Sequence, residues 1–136
     1  MIEFSRSIEF ARAAFDPEPA MRVQVFSMAW YKGRVLAMGQ NKPKTHPLNL
    51  INILRFNTGE IHRNKCICAE LNLFLKLKRT TNVSFDKLTI CNVRLDKNGQ
   101  IKNSRPCLSC DNLLKYTKPK KLFYTNEGGN WEEYLY

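Results

Sequence analysis

The sequence predicts an α/β protein with a mixed sheet of about five strands. Three observations support this fold class. Segments with helical periodicity alternate along the chain with segments of strand composition. The 136 residues correspond to one domain, which we place over residues 1–136. The last two predicted strands are too close in sequence for a parallel crossover, so we expect them to pair antiparallel.

The N-terminal half predicts a helix followed by a hairpin. Residues 5–15 carry apolar side chains at helical spacing, and an Asp-Pro pair ends this helix. Residues 22–39 have strand composition on both sides of a Tyr-Lys-Gly turn, which predicts two antiparallel strands. Residues 40–61 form a long connection, with a short helix predicted over 48–56. A connection of this length in a small domain is often functional.

The C-terminal half alternates helix and strand. Residues 67–79 have helical composition and a basic end that suits the helix dipole. Residues 88–95 read as a strand followed by an Asp-Lys-Asn-Gly turn, and 107–116 predict a short helix. The last two predicted strands are residues 121–125 and 131–136.

Charge favours an anionic partner. Lys and Arg number 22 against 12 Asp and Glu, a formal net charge of +10. Such a field attracts polyanions or phosphorylated small molecules, although solubility alone also accounts for it. No apolar run approaches the ~18 residues of a membrane-spanning helix, and no secretory signal is visible. We therefore expect a cytoplasmic protein with no membrane partner; an oligomer is compatible with the sequence.

The cysteines favour metal binding over disulfides. There are five: Cys66, Cys68, Cys91, Cys107 and Cys110. An odd number without a secretory signal argues against a disulfide scaffold. Four of them fall into two close pairs, which in an intracellular chain more often bind metal or perform redox chemistry. The expected ion is Zn²⁺.

Two short motifs carry the chemistry. Cys68 and Glu70 stand at the start of one predicted helix, where side chains lean toward the helix end and can address the same ion. Cys107 and Cys110 stand three residues apart at the start of the next helix, on one face of its first turn. Helix N-termini also favour thiolates. Three sulfur ligands with an acid beside them match a catalytic zinc site, which keeps one position open.

The motifs Cys68-Ala69-Glu70 and Pro106-Cys-x-x-Cys110 resemble those of the cytidine deaminase superfamily of zinc-dependent nucleobase deaminases, including phage and bacterial members. The resemblance implies a three-layer α/β/α fold and hydrolytic deamination of a nucleobase, most often cytosine to uracil. It implies Zn²⁺ held by three cysteines (Cys68, Cys107 and Cys110), with Glu70 transferring protons. The expected location is the cytoplasm of a bacterial or virus-infected host cell.

The resemblance also suggests substrate contacts. Asn41 follows the predicted hairpin, where the family commonly places an Asn that touches the substrate. His46 is a second candidate, because it lies near Asn41 in the connection that we expect to cover the pocket. Family members acting on free nucleosides carry Asn-x-Glu at this point, whereas Lys42 and Pro43 follow Asn41 here. A nucleotide or single-stranded nucleic acid is therefore the expected substrate.

An alternative from another class is a non-catalytic, zinc-stabilised nucleic-acid-binding module. In that case Cys66 would join the other three ligands in a closed four-cysteine site, and Glu70 would only complement the helix dipole. A third alternative is a deaminase fold that binds without turnover. Cys-x-Cys is a tight ligand pair for tetrahedral zinc, which favours the catalytic interpretation.

Overall fold

The computed structural model describes residues 2–17, 23–42 and 68–135. The helices are α1 (Ile2–Ala14), α2 (Ala69–Thr80) and α3 (Leu108–Thr117), with a 3-10 turn at Phe85–Lys87. The strands are β1 (Gln24–Tyr31), β2 (Arg34–Gln40), β3 (Thr89–Leu95), β4 (Ile101–Lys102), β5 (Lys121–Thr125) and β6 (Trp131–Glu133). No helix within these ranges is both long enough and apolar enough to cross a membrane.

The strands form a mixed sheet in the order β2-β1-β3-β5-β6, with β4 paired to β3. The pair β3–β5 is parallel, and α3 makes the crossover between its two strands. The pairs β1–β2, β1–β3, β3–β4 and β5–β6 are antiparallel. The predicted mixed sheet and the antiparallel pairing of the last two strands are therefore confirmed.

Helices cover both faces of this sheet, and β3 contributes buried apolar residues on each side. Cys91, Val93 and Leu95 belong to one buried cluster, together with Ala11 of α1. Ile90 belongs to a second cluster, which includes residues of α2 and α3. Residues alternate between the two faces of a strand, so α1 forms one outer layer and α2 with α3 the other. The three-layer α/β/α architecture is confirmed.

Three elements differ from their predicted bounds or were not predicted. Helix α1 begins at Ile2, before residue 5, and Phe4 stacks on Trp131 with ring centroids 4.6 Å apart. Strand β6 ends at Glu133, after which the Tyr134 amide donates to the carbonyl of Leu122. Strand β4 was not predicted, since a two-residue pairing leaves no periodic pattern. The helix predicted over 48–56 lies outside the described residues.

Helix α2 lies unusually close to β2 at Gly39. A Cβ atom added to Gly39 would stand 2.4 Å from both the Ala69 carbonyl oxygen and the Leu73 amide nitrogen. The side-chain Oδ1 of Asn72 accepts a hydrogen bond of 3.0 Å from the Gln40 amide beside this contact. The first turn of α2, which carries the candidate catalytic acid, is thus placed by direct contact with the end of β2.

The Gly39→Ala substitution should therefore destabilise the fold. We expect a loss of about 3 kcal/mol in the free energy of unfolding, because the obstructing atoms are backbone and cannot rotate away. Urea denaturation followed by circular dichroism measures it. Gly128→Ala is the matched control, since its added Cβ meets only side chains at 3.4 and 3.6 Å. Equal stability of the two variants would contradict the close contact at Gly39.

Candidate metal centre

Two helix N-termini bring three cysteine sulfurs together. Cys68 is the N-cap residue of α2 and Cys107 is that of α3, and neither side chain makes a capping hydrogen bond. Their Sγ atoms are 3.7 Å apart. Cys110 joins them from the first turn of α3, and the three sulfurs lie within 4.8 Å of one another. The structure thus places the three predicted ligands in one cluster.

The chemistry of this cluster fits a soft divalent cation. A hydrogen bond from Cys107, burial and nearby negative charge raise the pKa of Cys68, against a lowering contribution from Cys110. Hydrogen bonds with Cys107 and Cys68, together with burial, raise the pKa of Cys110 far above its usual value. A cation such as zinc stabilises such grouped sulfurs as thiolates. Cys68, Cys107 and Cys110 are therefore the residues that could hold one ion.

Glu70 lies beside the cluster. It belongs to the first turn of α2 and is only 7% exposed. Burial, followed by the charge of Cys107, raises the pKa of Glu70 to about 7, while a hydrogen bond with Cys110 acts in the opposite direction. Burial thus increases the affinity of this carboxylate for a proton, as a proton-transfer group requires.

The segment that leads into Cys107 is held by Ser104, which the sequence prediction did not single out. The Ser104 hydroxyl donates to the Asn92 carbonyl oxygen at 2.8 Å and accepts from the Thr125 amide at 2.8 Å. The Ser104 amide donates to the Thr125 carbonyl oxygen at 2.8 Å. These bonds fix the loop between β4 and α3 to two strands of the sheet. Only the nearness of Ser104 to the Pro-Cys motif marks it in the sequence.

Tyr134, which follows β6, contacts the first turn of α3. The sequence prediction did not single out this residue either. Its hydroxyl donates to the carboxylate of Asp111, the residue after Cys110. The Arg105 guanidinium lies over the Tyr134 ring, 5.2 Å from its centroid. Asp111 also pairs with Lys115 at 3.0 Å. The first turn of α3 is thereby tied to the chain after β6.

Asn41 ties the end of β2 to β1. Its Oδ1 accepts a hydrogen bond of 2.8 Å from the Val25 amide, and its Nδ2 donates to the Val23 carbonyl oxygen at 2.9 Å. A substrate contact from Asn41 stays a prediction. The other predicted substrate residue, His46, lies outside the described residues, as does Cys66, the fourth ligand of the structural-zinc alternative.

The sequence matches no protein-family model and no curated protein. The structure is similar to a dCMP deaminase from the cyanophage S-TIM5 in apo form (TM-score 0.59, 19% identity, 91% of this chain and 82% of that one). The same enzyme in complex with dCMP and dUMP matches with a TM-score of 0.56 and 18% identity, over 93% and 79% of the two chains. A cytidine deaminase from Mycobacterium leprae matches with a TM-score of 0.53 and 19% identity, over 96% and 88%. The chain thus has a cytidine deaminase-like fold.

Proposed function

We infer that this protein is a zinc-dependent deaminase that removes the amino group of cytosine by hydrolysis, in a nucleotide or in single-stranded nucleic acid. One observation carries this conclusion. Three cysteine sulfurs within 4.8 Å of one another meet at two helix N-termini, and a buried carboxylate, Glu70, lies in the first turn of one of these helices. A purely structural zinc site needs no acid in that position.

The three cysteines and Glu70 have different roles in the proposed reaction. Cys68, Cys107 and Cys110 would hold zinc, and the chemistry that zinc supplies in such a site is Lewis-acid activation of water near neutral pH. Glu70 accepts a proton from the attacking water and delivers it to ring nitrogen N3. A C4–O bond forms, Glu70 then takes the remaining proton from the new C4 hydroxyl and gives it to the amino group, and the C4–N4 bond breaks to release ammonia. The product is uracil.

The substrate class is supported by charge and by the comparisons. A net charge of +10 favours an anionic substrate over a free nucleoside. The cyanophage enzyme of similar fold has been captured in complex with dCMP and dUMP. A nucleotide is therefore the first substrate to test, ahead of a single-stranded oligonucleotide.

Ammonia release from the zinc-loaded protein tests the proposal. We expect turnover of dCMP, or of cytosine in a single-stranded oligonucleotide, above that of cytidine. An adenine nucleotide in a parallel assay checks the choice of base. Failure to release ammonia from any of these compounds, with zinc bound, would instead support the non-catalytic binding module.

A further inference from the structure

Strand β3 presents two polar side chains to the face of the sheet that α2 and α3 cover. Asn92 and Arg94 alternate along the strand with Cys91 and Val93, which belong to the cluster on the α1 side. Ile90, in phase with the two polar residues, packs in the cluster that includes α2 and α3. Asn92 and Arg94 therefore lie on the same side as the metal centre.

Both side chains hold a buried nitrogen without a hydrogen-bond partner. Over the described ranges, buried side-chain polar atoms lack a partner only at Asn92 Nδ2 and Arg94 Nε. Asn92 is fully buried, and its Oδ1 accepts a hydrogen bond from the Ser27 hydroxyl. The Arg94 Nη1 donates to the Asn103 carbonyl oxygen at 3.4 Å. Arg94 therefore has a donor free to bind an acceptor, and leaving a buried donor unpaired is costly.

Two sets of contacts connect this part of β3 to the helix starts that form the metal centre. In the sheet register, Asn92 pairs with Ser27, which in turn pairs with Gly39 under the first turn of α2. The Asn92 carbonyl oxygen accepts from Ser104, three residues before Cys107. Arg94 follows two residues further toward the end of the strand, about 6–7 Å along it.

Arg94 has the chemistry of a phosphate ligand. A guanidinium offers donors in a planar fork that matches phosphate oxygens and keeps its charge at any physiological pH. In the part of the chain that the structure describes, the ion pairs are Lys102–Glu127, Lys115–Asp111 and Lys121–Glu133, and none involves Arg94. Its charge is thus not neutralised by a carboxylate there.

We propose that Arg94 binds a phosphate group of the cytosine nucleotide and thereby selects phosphorylated substrates over nucleosides. This inference rests on the proposed function. The partnerless Nε–H and the positive charge act together on the phosphate oxygens.

Substrate discrimination by Arg94→Gln tests the proposal. In the zinc-loaded protein we expect kcat/KM for dCMP to fall about 10- to 100-fold, with that for deoxycytidine nearly unchanged. Arg94→Lys should recover part of the loss, because it keeps the charge without the fork. Lys97→Gln, in the exposed turn after β3, removes one charge and serves as the control. Its dCMP preference should match that of the wild type.

A single-stranded oligonucleotide, used as a third substrate, distinguishes a terminal phosphate from a backbone phosphate. Loss confined to dCMP assigns a terminal phosphate, and equal loss on a single-stranded oligonucleotide assigns a backbone phosphate. An unchanged ratio of dCMP to deoxycytidine turnover in Arg94→Gln, or equal loss on both substrates, would overturn the inference while the deaminase activity stands.

Calorimetric binding of dUMP separates the inference from the proposed function. If no substrate is deaminated, the proposed function fails, but dUMP binding that weakens about 10-fold or more in Arg94→Gln still supports a phosphate site. Absence of dUMP binding, or equal affinity in wild type and variant, would overturn it. Thermal denaturation and zinc content of each variant verify that fold and metal are retained.

Discussion

Glu70→Gln should lower kcat for deamination by about 10²–10⁴-fold, the range for loss of a positioned proton-transfer group. The substitution keeps the size and shape of a buried side chain that is 7% exposed, so the packing of α2 should survive. Glutamine cannot accept a proton from water, and the cysteine ligands are unchanged. Steady-state ammonia release gives kcat, and elemental analysis of the same sample gives the zinc content.

The zinc measurement makes this experiment specific. A Glu70→Gln protein that is inactive but still binds zinc fits a proton-transfer role, whereas loss of zinc would show that Glu70 is a ligand. Wild-type rates in the variant would refute the role altogether. Glu9→Gln is the control, because Glu9 is an exposed acid on α1, on the opposite face of the sheet.

Cys110→Ser should weaken metal binding and lower activity together. The wild type is expected to bind about one zinc per chain, and the variant to bind it at least ~100-fold more weakly, because a hydroxyl is a poor substitute for a thiolate. The melting temperature of the zinc-loaded wild type should fall on chelation, since a metal that binds only the folded state stabilises it. Elemental analysis and thermal scans with and without chelator measure these effects.

Cys91→Ser is a close control for that experiment. Cys91 is also a fully buried cysteine, but it packs in the cluster on the α1 side of the sheet. Desolvation raises its pKa to about 12. The variant should retain about one zinc per chain, even if the buried hydroxyl lowers its stability. Zinc loss from Cys91→Ser, or full retention by Cys110→Ser, would contradict the proposed ligand set.

Local sequence patterns predict well those helices and strands whose bounds are determined by residues close in sequence. Strand β5 has the predicted bounds, Lys121–Thr125, and α2 begins at Ala69 within two residues of the predicted start. The proximity of Cys107 and Cys110 was likewise predictable, because residues three apart at a helix start share one face. The meeting of Cys68 with this pair was expected from the family resemblance and depends on the assembled fold.

The supporting residues could not be predicted, because their partners are distant in sequence. Ser104 bonds to Thr125 across 21 residues and Tyr134 to Asp111 across 23. The face of the sheet on which Arg94 lies depends on strand register, since a slip of one residue would turn Arg94 to the α1 side. Such contacts follow from the assembled sheet rather than from any local motif.

The meeting of two helix starts also sets the order of events during biosynthesis. Cys68 and Cys107 are 107 − 68 = 39 residues apart in sequence, with β3 and β4 between them. The two halves of the sulfur cluster meet only after the intervening chain has been synthesised and has docked as strands, and closing such a loop costs entropy. A zinc ion bound there would link the two parts of the chain after this loop has closed, so we expect zinc supply to influence the yield of folded protein.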